Sequence, residues 1–461
     1  MRFLLLLLCW APLLAAQTLD AMLLKEDFRV MRSALEEGHP GIYRYTPKPE
    51  LDRIFAAADD QLNQPMSVLA FYRVLAPAVA ALKCGHTALR LPEQVEKEMT
   101  DSVPLMPVEV RILDRKTYVF RDYSESNRLA GAEIESINGV AAEKIMATML
   151  ASIHGDGDTP TAGPWRIGHD LRFAKALYAL AGVESPFHID YKLDGKPGHA
   201  VLQGVAGLPQ EKRPSSAATF KLLDEGGIGV LKVYGFGGRS EDGKPLGAFF
   251  QEVYSNLHEK KVSNLIIDLR DNGGGADELG KLLFAYLTAE PFQYYSDLVI
   301  NKLTFDFFQY ANHPKPIPEN SVTKMPNGKY RLTSHENWGT QQPRQPYFAG
   351  KVFALMNGGS FSTTCEFLST LHHHHRATFI GEEAAGGYYG NTSGPGVEVI
   401  LPNSKIRLPV RLMTYYMAID GSEHGTHSIP PDYPVTYSIE ELLAGKDKEM
   451  ELALRLIADR R

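Results

Sequence analysis

Residues 351–394 read KVFALMNGGSFSTTCEFLSTLHHHHRATFIGEEAAGGYYGNTSG, and this stretch decides the fold prediction. An apolar run at 352–356 has the length and composition of a buried strand, and an Asn-Gly-Gly turn follows it. Residues 364–375 are expected to form a helix that leads into a second strand at 377–381. Ser362 therefore lies where a strand ends and a helix begins.

A serine at this place has two interpretations. Its hydroxyl would face free backbone N–H groups and the positive end of the helix dipole, which suits a negative charge that develops during acyl transfer. Serine is also a favoured N-cap residue in any helix. The local pattern leaves Ser362 open between a nucleophile and a helix cap.

The composition limits the class of protein. With 461 residues and 44% hydrophobic content, the chain exceeds one hydrophobic core, so two or three domains are expected. The net charge of -7 and the isoelectric point near 6.1 argue against nucleic-acid binding. Peptides, proteins and small molecules remain as substrates or ligands.

The N-terminus, MRFLLLLLCWAPLLAAQ, has the pattern of a secretory signal peptide. One positive residue precedes an apolar stretch that is short for a membrane span, and small residues follow at Ala15 and Ala16. Cleavage after Ala16 would leave Leu14 where a small residue is preferred, so an uncleaved anchor stays open. Because no later stretch is apolar enough to cross a membrane, a signal at 1–16 predicts an exported protein, periplasmic or secreted.

Four regions follow the predicted signal. Helical spacing of apolar residues marks an N-terminal helical unit at 17–95, and paired strands, a turn and a helix form a compact module at 96–153. Residues 154–215 are interpreted as a connecting segment with a hairpin. At 216–461 strands and helices alternate, which predicts an α/β domain with largely parallel strands and a closing amphipathic helix. The strand-like stretches of this domain are GIGVLKVYGF, NLIIDLRD, KVFALMN, ATFIGEE and VEVILPN.

A second motif, NLIIDLRDNGGG at 264–275, ends a hydrophobic strand in three glycines. Glycine lets a backbone approach a ligand closely. The spacing fits neither a dinucleotide fingerprint nor a phosphate loop. We interpret the loop as part of an oxyanion hole whose donors are the N–H groups of Gly274 and of Thr363, the residue after Ser362. A plain turn between strand and helix is the alternative.

Together these motifs resemble a known family. DLRDNGGG, NGGSFSTTCEF and GEEAAGGYYG are similar, in this order, to motifs of the tail-specific or C-terminal-processing serine peptidases, which have a ClpP/crotonase-like catalytic core. LAGAEIESINGVAAEKI resembles the second half of that family's PDZ-like module, which would occupy 96–153. IPPDYPV and LLAGKDKEMELAL resemble its later strand and terminal helix. The resemblance implies a serine peptidase that acts on peptides or proteins without a cofactor or metal.

The chain departs from the family's Ser-Lys branch. That branch continues G-E-x-x-x-G-K-G, and its lysine position falls on Gly387 here, while the next lysine, Lys405, lies in a strand-like segment. The tricorn-like branch takes a histidine from a turn before the PDZ-like module, where this chain has KCGHT at 83–87. The resemblance therefore implies His86 as the general base of Ser362. With a pKa near 6.5, a histidine can take the hydroxyl proton and return it to the leaving group.

An acid that orients the histidine is expected as well. In the tricorn-like branch a glutamate precedes a G-V-x-P-D stretch, and Glu423 is the best match, although the spacing is longer here. The alternative is that Glu423 is an ordinary surface-loop residue. Glu383 and Asp271 are the substitute acids.

Three further features leave alternatives open. Cys84 and Cys365 flank the predicted site residues, and we consider either a disulfide between them or two small buried side chains. Glu366 is interpreted as a helix-capping residue, with an ordinary position on the helix face as the alternative. The histidines at 372–375 lack the i, i+4 spacing of a metal site, so no metal is predicted there.

The sequence thus predicts an exported serine peptidase. Ser362 would attack the peptide bond, His86 would act as base and Glu423 would orient it. Gly274 and Thr363 would stabilise the oxyanion. The alternative hypothesis is a protein of the same fold that has lost turnover and binds a peptide or hydrophobic ligand.

Overall fold

The computed structural model describes residues 18–209, 214–223, 227–422 and 424–459. The predicted signal peptide, 1–16, and Glu423 lie outside the described residues. Within these ranges, no helix combines the length and the apolar character needed to cross a membrane.

The described residues contain helices α1 to α12 and strands β1 to β22. The helices are α1 (Ala21–Gly38), α2 (Lys48–Asp59), α3 (Val68–Ala80), α4 (Glu93–Asp101), α5 (Ala142–Leu150), α6 (Ala162–Ile167), α7 (Arg172–Ala179), α8 (Leu246–Glu259), α9 (Asp277–Ala285), α10 (Thr363–His373), α11 (Ile439–Leu443) and α12 (Lys448–Ala458). The strands are β1 (Thr18–Leu19), β2 (Met66–Ser67), β3 (Val108–Leu113), β4 (Lys116–Asp122), β5 (Glu133–Ile137), β6 (Val140–Ala141), β7 (Phe187–Leu193), β8 (Lys196–Leu202), β9 (Ala218–Leu223), β10 (Ile228–Val233), β11 (Asn264–Asp268), β12 (Phe292–Gln293), β13 (Tyr295–Ile300), β14 (Ala311–Asn312), β15 (Val322–Lys324), β16 (Tyr330–Leu332), β17 (Thr340–Gln341), β18 (Lys351–Met356), β19 (Thr378–Gly381), β20 (Thr392–Ile400), β21 (Arg407–Met417) and β22 (Tyr433–Pro434).

The N-terminal helices form a unit that packs on the C-terminal region. α1 buries apolar side chains at helical spacing, among them Leu24, Phe28 and Leu35. These side chains share one hydrophobic core with Val399 of β20 and Val410 of β21. The helical unit and the turn that follows α3 are therefore fixed against a C-terminal sheet.

Strands β3, β4, β5, β7 and β8 form one antiparallel sheet in this order. β5 pairs with β7, so that Ile137 lies beside Ile189, and helices α5 to α7 share the core of this sheet. The hairpin of β7 and β8 therefore completes the module that was expected to end at 153. The prediction of a connecting segment at 154–215 missed this pairing because periodicity indicates a strand without indicating its partner.

The central sheet has the strand order β22, β19, β18, β11, β10, β9. Its neighbouring strands are parallel except for β10 with β9. Helices α8, α9 and α10 cover one face and α12 covers the other, which explains the uninterrupted apolar runs of β11 and β18. Asp268 at the end of β11 pairs with Leu355, so the glycine loop and Ser362 leave the same edge of the sheet. The predicted α/β fold is confirmed.

Two C-terminal elements differ from the prediction. The stretch VEVILPN belongs to β20 and pairs antiparallel with β21 in a second sheet of order β14, β20, β21, β13, β16, β15. The expected single closing helix is divided into α11 and α12. Gly445 has a φ of 66° after α11, and Asp447 starts α12 by accepting a hydrogen bond from Met450 N–H at 3.2 Å.

Candidate active site

Ser362 follows β18 and stands at the N-cap of α10. Its φ of 59° and ψ of -128° lie in a region that L-residues rarely adopt, at a cost of about 1–3 kcal/mol. The hydroxyl makes no capping hydrogen bond. The N-cap interpretation therefore fails for this side chain, whose Oγ points instead to the turn after α3.

That turn carries the predicted base. His86 Nε2 lies 2.9 Å from Ser362 Oγ, which is a hydrogen-bond distance. Thr87 N–H closes the turn by donating to the carbonyl oxygen of Cys84 at 2.9 Å. The imidazole packs on the Phe361 ring, with 4.4 Å between the ring centroids. The fold thus brings together two side chains that are 276 positions apart in the chain.

The surroundings of His86 keep its imidazole neutral. Burial lowers the pKa of His86 to about 3, and Arg411, Arg166 and His39 act in the same direction. Near pH 7 the ring therefore has a free lone pair. Its Nδ1 is buried and has no hydrogen-bond partner among the described residues. An imidazolium formed at this place would face a positive field unless an acid balanced it.

The glycine loop between β11 and α9 packs directly on the serine turn. Gly274 has a φ of 99°, and a Cβ there would lie 2.6 Å from the Cβ of Ser362, so glycine is required. Its N–H, which the sequence predicted as a donor to the oxyanion, donates here to Asn272 Oδ1 at 2.9 Å. The Thr363 N–H, at the first position of α10, has no acceptor within the described ranges. Gly274 can serve an oxyanion only by releasing Asn272.

The two substitute acids do not reach His86. Glu383 Oε1 accepts a hydrogen bond from Ser428 N–H at 2.9 Å. Asp271 Oδ1 accepts from the indole N–H of Trp165 at 2.8 Å. Both carboxylates therefore have other structural partners. Glu423, the acid that the sequence favoured, lies outside the described residues.

An acid that the sequence analysis missed lies beside the base. Asp156 is buried in the loop after α5, where its Oδ1 accepts from Gly85 N–H at 2.7 Å and its Oδ2 from Gly387 N–H at 3.4 Å. One carboxylate oxygen, the Cys84 sulfur and one His86 ring nitrogen lie within 4.8 Å of one another. The signal was the acidic loop GDGDTPTAGP, but nothing in its local sequence connects it to a turn far upstream.

In the part of the chain that is described, Cys84, His86 and Asp156 also form a group of three potential metal ligands whose ligand atoms lie within 4.8 Å of one another. Cys84 and Asp156 have internal partners, since the thiol of Cys84 donates to a backbone carbonyl at 3.5 Å and the carboxylate accepts from the N–H groups of Gly85 and Gly387. Burial raises the pKa of Cys84 to about 12, which disfavours the thiolate that a metal would bind. We therefore assign this cluster no metal.

The cysteines are not joined. Cys84 and Cys365 are both buried free thiols. The thiol of Cys365 donates to the carbonyl oxygen of Ser360 at 3.1 Å, while Cys84 bonds to a different element. The disulfide hypothesis is therefore wrong in this structure, and the alternative of two small buried side chains holds.

Glu366 does not cap α10. Its carboxyl group is buried and accepts hydrogen bonds from the Tyr295 hydroxyl at 2.8 Å and from Asn391 Nδ2 at 2.7 Å. The capping interpretation is wrong because this face of the helix turns toward the core instead of toward its own N-terminus.

The position of the missing lysine is closed to any side chain. A Cβ at Gly387 would lie 2.4 Å from the Tyr45 hydroxyl oxygen and 2.6 Å from the carbonyl oxygen of Gly390. Lys405 lies in an exposed turn between β20 and β21, and not in a strand, with its Nζ donating to the Pro402 carbonyl at 2.8 Å. A Ser-Lys dyad is therefore prevented by packing.

A cleft of about 1130 Å³ opens beside the serine turn. It lies between the sheet that begins with β3 and the central sheet, and the glycine loop and Phe361 form part of its wall. Cationic side chains also line it: Arg111, Arg166, Arg172, Lys232, Arg239 and Arg270. A cleft of this size can hold several residues of an extended peptide.

The sequence of the central region matches a known family model. Residues 227–435 match the model of peptidase family S41, and they include the glycine loop, Ser362 and the strands that hold them. The match of this segment to a peptidase family model, together with the fold, shows that the protein is a serine-type peptidase. This segment of 209 residues, just under half of the chain, is therefore similar to peptidase family S41, in agreement with the resemblance to the tail-specific or C-terminal-processing serine peptidases.

The fold is also similar to solved structures. Mature CPAF is 14% identical, with a TM-score of 0.60 over 92% of this chain and 94% of that one. A mutant form of CPAF is 13% identical, with a TM-score of 0.63 over 92% and 95%. The photosystem II D1 C-terminal processing protease is 14% identical, with a TM-score of 0.42 over 90% and 93%. No curated protein matches the sequence. At these identities the CPAF structures show the shared fold alone.

Proposed function

We propose that this chain is an exported serine peptidase that hydrolyses peptide bonds through Ser362 and His86. The observation that carries the proposal is the 2.9 Å contact between His86 Nε2 and Ser362 Oγ. It joins a nucleophile on a strained turn to a base that is neutral near pH 7. The adjacent cleft provides room for a peptide substrate.

In the proposed reaction, Ser362 Oγ bonds to the peptide carbonyl carbon while its proton moves to His86 Nε2. The carbonyl oxygen becomes an oxyanion. When the C–N bond breaks, His86 gives its proton to the leaving amine, and an acyl-enzyme remains. Water then attacks the acyl carbon, His86 takes and returns a proton again, and Ser362 is released with a free carboxylic acid.

Two parts of the site assist this chemistry. Thr363 N–H, at the positive end of α10, would donate to the oxyanion, and Gly274 N–H would join it after exchanging Asn272 for the oxyanion. Glu423 stays the acid that the family resemblance proposes for orienting His86. The closed backbone around Gly387 supports a histidine base over a lysine base.

The test is hydrolysis of an unfolded protein such as reduced casein. Ser362→Ala and His86→Ala should each lower the rate by at least about a thousandfold, with little change in melting temperature. Ser126→Ala and His375→Ala, at exposed positions, are the matched controls and should keep wild-type activity. A fluorophosphonate should label Ser362 in the wild type. Full activity of either site variant would refute the assignment, and an unlabelled, inactive wild type would favour the ligand-binding alternative.

Export is a separate part of the proposal. We infer it from the signal-like residues 1–16. Expression of the full chain in a Gram-negative host, followed by fractionation and N-terminal mass analysis, should give a shortened protein in the periplasm or medium. Full-length protein confined to the cytoplasm would contradict export without affecting the peptidase assignment.

A further inference from the structure

The two ring nitrogens of His86 have different environments. Nε2 faces Ser362 at 2.9 Å, whereas Nδ1 is buried and unpartnered among the described residues. A neutral imidazole carries one proton, and only the tautomer with that proton on Nδ1 can accept a proton at Nε2. Catalysis therefore requires something that favours Nδ1–H.

Asp156 is placed to do this. Its carboxylate is 1% exposed and is fixed by the N–H of Gly85, the residue before His86. A second contact, from Gly387 N–H, joins the carboxylate to the loop after β19. A carboxylate oxygen lies within 4.8 Å of a His86 ring nitrogen, although no hydrogen bond joins Asp156 to Nδ1 in this structure. Because Nε2 is directed at Ser362, Nδ1 is the nitrogen that the carboxylate could accept from during catalysis.

Most of the charged groups that act on the pair are cations. The titratable groups that face His86 or Asp156 from the packed elements are Cys84 in the same turn, His39, Arg44 and Tyr45 after α1, Arg166 of α6, Cys365 and Glu366 of α10, and Arg411 of β21. Burial raises the pKa of Asp156, and the Gly85 N–H, Arg44 and Arg166 oppose that rise. A carboxylate at this place would offset the cations when His86 becomes an imidazolium.

We propose that Asp156 is a positioning residue that holds His86 in the Nδ1–H tautomer and stabilises its imidazolium during acyl transfer. This inference rests on the proposed function of Ser362 and His86. It adds an acid that neither the family resemblance nor the sequence pattern indicated.

The first test is the steady-state kinetics of Asp156→Asn in the full chain. Asparagine keeps an oxygen for the Gly85 N–H but removes the negative charge. We expect kcat to fall by about a hundredfold or more and KM to change less than threefold, since the acid acts on the reaction step and not on peptide binding. Asp156→Glu, which keeps the charge at a shifted position, should recover at least tenfold of that loss.

The pH profile separates this role from a purely structural one. In the wild type, the acid limb of kcat reports protonation of the His86 and Asp156 pair. Without the carboxylate the proton affinity of His86 falls, so the limb of Asp156→Asn should move to lower pH. Glu423→Gln is the comparison. The inference would be overturned if Glu423→Gln lost activity while Asp156→Asn kept the wild-type kcat and the wild-type pH profile of kcat.

A second measurement leaves Asp156 in place, so it does not require an Asp156 variant to fold. Histidine-selective ¹⁵N labelling of the full chain carrying Ser362→Ala, assigned through His86→Gln, gives the tautomer of His86 directly. Protonated Nδ1 supports the inference, and protonated Nε2 overturns it. If Ser362→Ala itself retained hydrolysis, the proposed function would fail instead, so the two failures are distinguishable.

Discussion

Ser362 has a backbone conformation that glycine would adopt without steric cost, so a glycine here should stabilise the folded protein. We expect Ser362→Gly to raise the free energy of unfolding by about 1 kcal/mol while abolishing hydrolysis. Ser362→Ala is the matched control, because it loses the hydroxyl but keeps the Cβ and the strain. Urea unfolding measures both variants, and equal stability of the two would contradict the strain.

A second prediction concerns the close approach of Gly274 to Ser362. A Cβ at Gly274 would meet the Ser362 Cβ at 2.6 Å and the Phe361 carbonyl oxygen at 2.8 Å, in a backbone with φ of 99°. Gly274→Ala should therefore lower the free energy of unfolding by about 2–4 kcal/mol and reduce kcat strongly. Gly273→Ala, whose Cβ would have no atom within 4 Å, should change stability by less than about 1 kcal/mol. Similar losses in the two variants would show that the close approach is unimportant.

At the residue scale, the order of the motifs along the chain identified more of the site residues than the chemistry of each residue type did. Ser362 and His86 were selected from the succession of motifs, and they lie 2.9 Å apart, although their catalytic roles stay predictions. Asp156 could not be selected in this way. Its partners Gly85 and Gly387 lie far from it in the chain, so its importance depends on folding.

Helix α10 carries a buried carboxyl group beside the site. The Tyr295 hydroxyl lies 2.8 Å from Glu366 and 2.8 Å from Asp277 and has one proton to donate. Burial raises the pKa of Glu366 to about 8, and Asp277 adds to this rise. In the folded protein Glu366 is therefore mostly protonated at pH 7. A protonated Glu366 can donate to the Tyr295 oxygen while the Tyr295 hydroxyl donates to Asp277.

This pKa makes stability depend on pH with a definite sign. The folded pKa lies above the unfolded value of about 4.5, so the contribution of Glu366 is fully present below pH 4.5 and is lost as pH rises through about 8. In Glu366→Gln this dependence is absent. Relative to wild type, the variant should gain roughly 2 kcal/mol or more in free energy of unfolding from pH 5 to pH 9, measured by urea titration. Glu290→Gln, at an exposed position, should run parallel to wild type, and a parallel Glu366→Gln curve would refute the raised pKa.

At the element scale, local pattern predicted the elements and missed their partners. The strand before Ser362, the turn and helix α10 lie close to their predicted ranges, because period and turn chemistry are local properties. The hairpin at 187–202 was expected in a connecting segment and pairs with β5, and β20 was expected in the largely parallel domain and pairs antiparallel with β21. The pattern of a short strand indicates the strand without identifying its partner, so its sheet is decided by contacts that are distant in the chain.

On the scale of the whole molecule, the site exists only while two separate parts stay docked. His86 follows α3 of the N-terminal helical unit, and Ser362 belongs to the central sheet region. Asp27 of α1 fixes the first part to the C-terminal region. Its fully buried carboxylate accepts from Asn403 N–H at 2.9 Å and from Ser404 N–H at 2.7 Å, in the turn between β20 and β21.

Asp27→Ala removes both acceptors and leaves two backbone N–H groups without them, so we expect a loss of about 2–4 kcal/mol in free energy of unfolding. Because the helical unit shares its core with β20 and β21, the unit and the sheet should melt in one transition, several degrees below wild type. Activity after heating should be lost over the same temperature range, since undocking separates His86 from Ser362. Asp60→Ala, at an exposed helix end, should leave the melting curve unchanged. A variant that lost activity well below its melting transition would show that the helical unit undocks on its own, and that the shared core is too weak to hold the base and the nucleophile together.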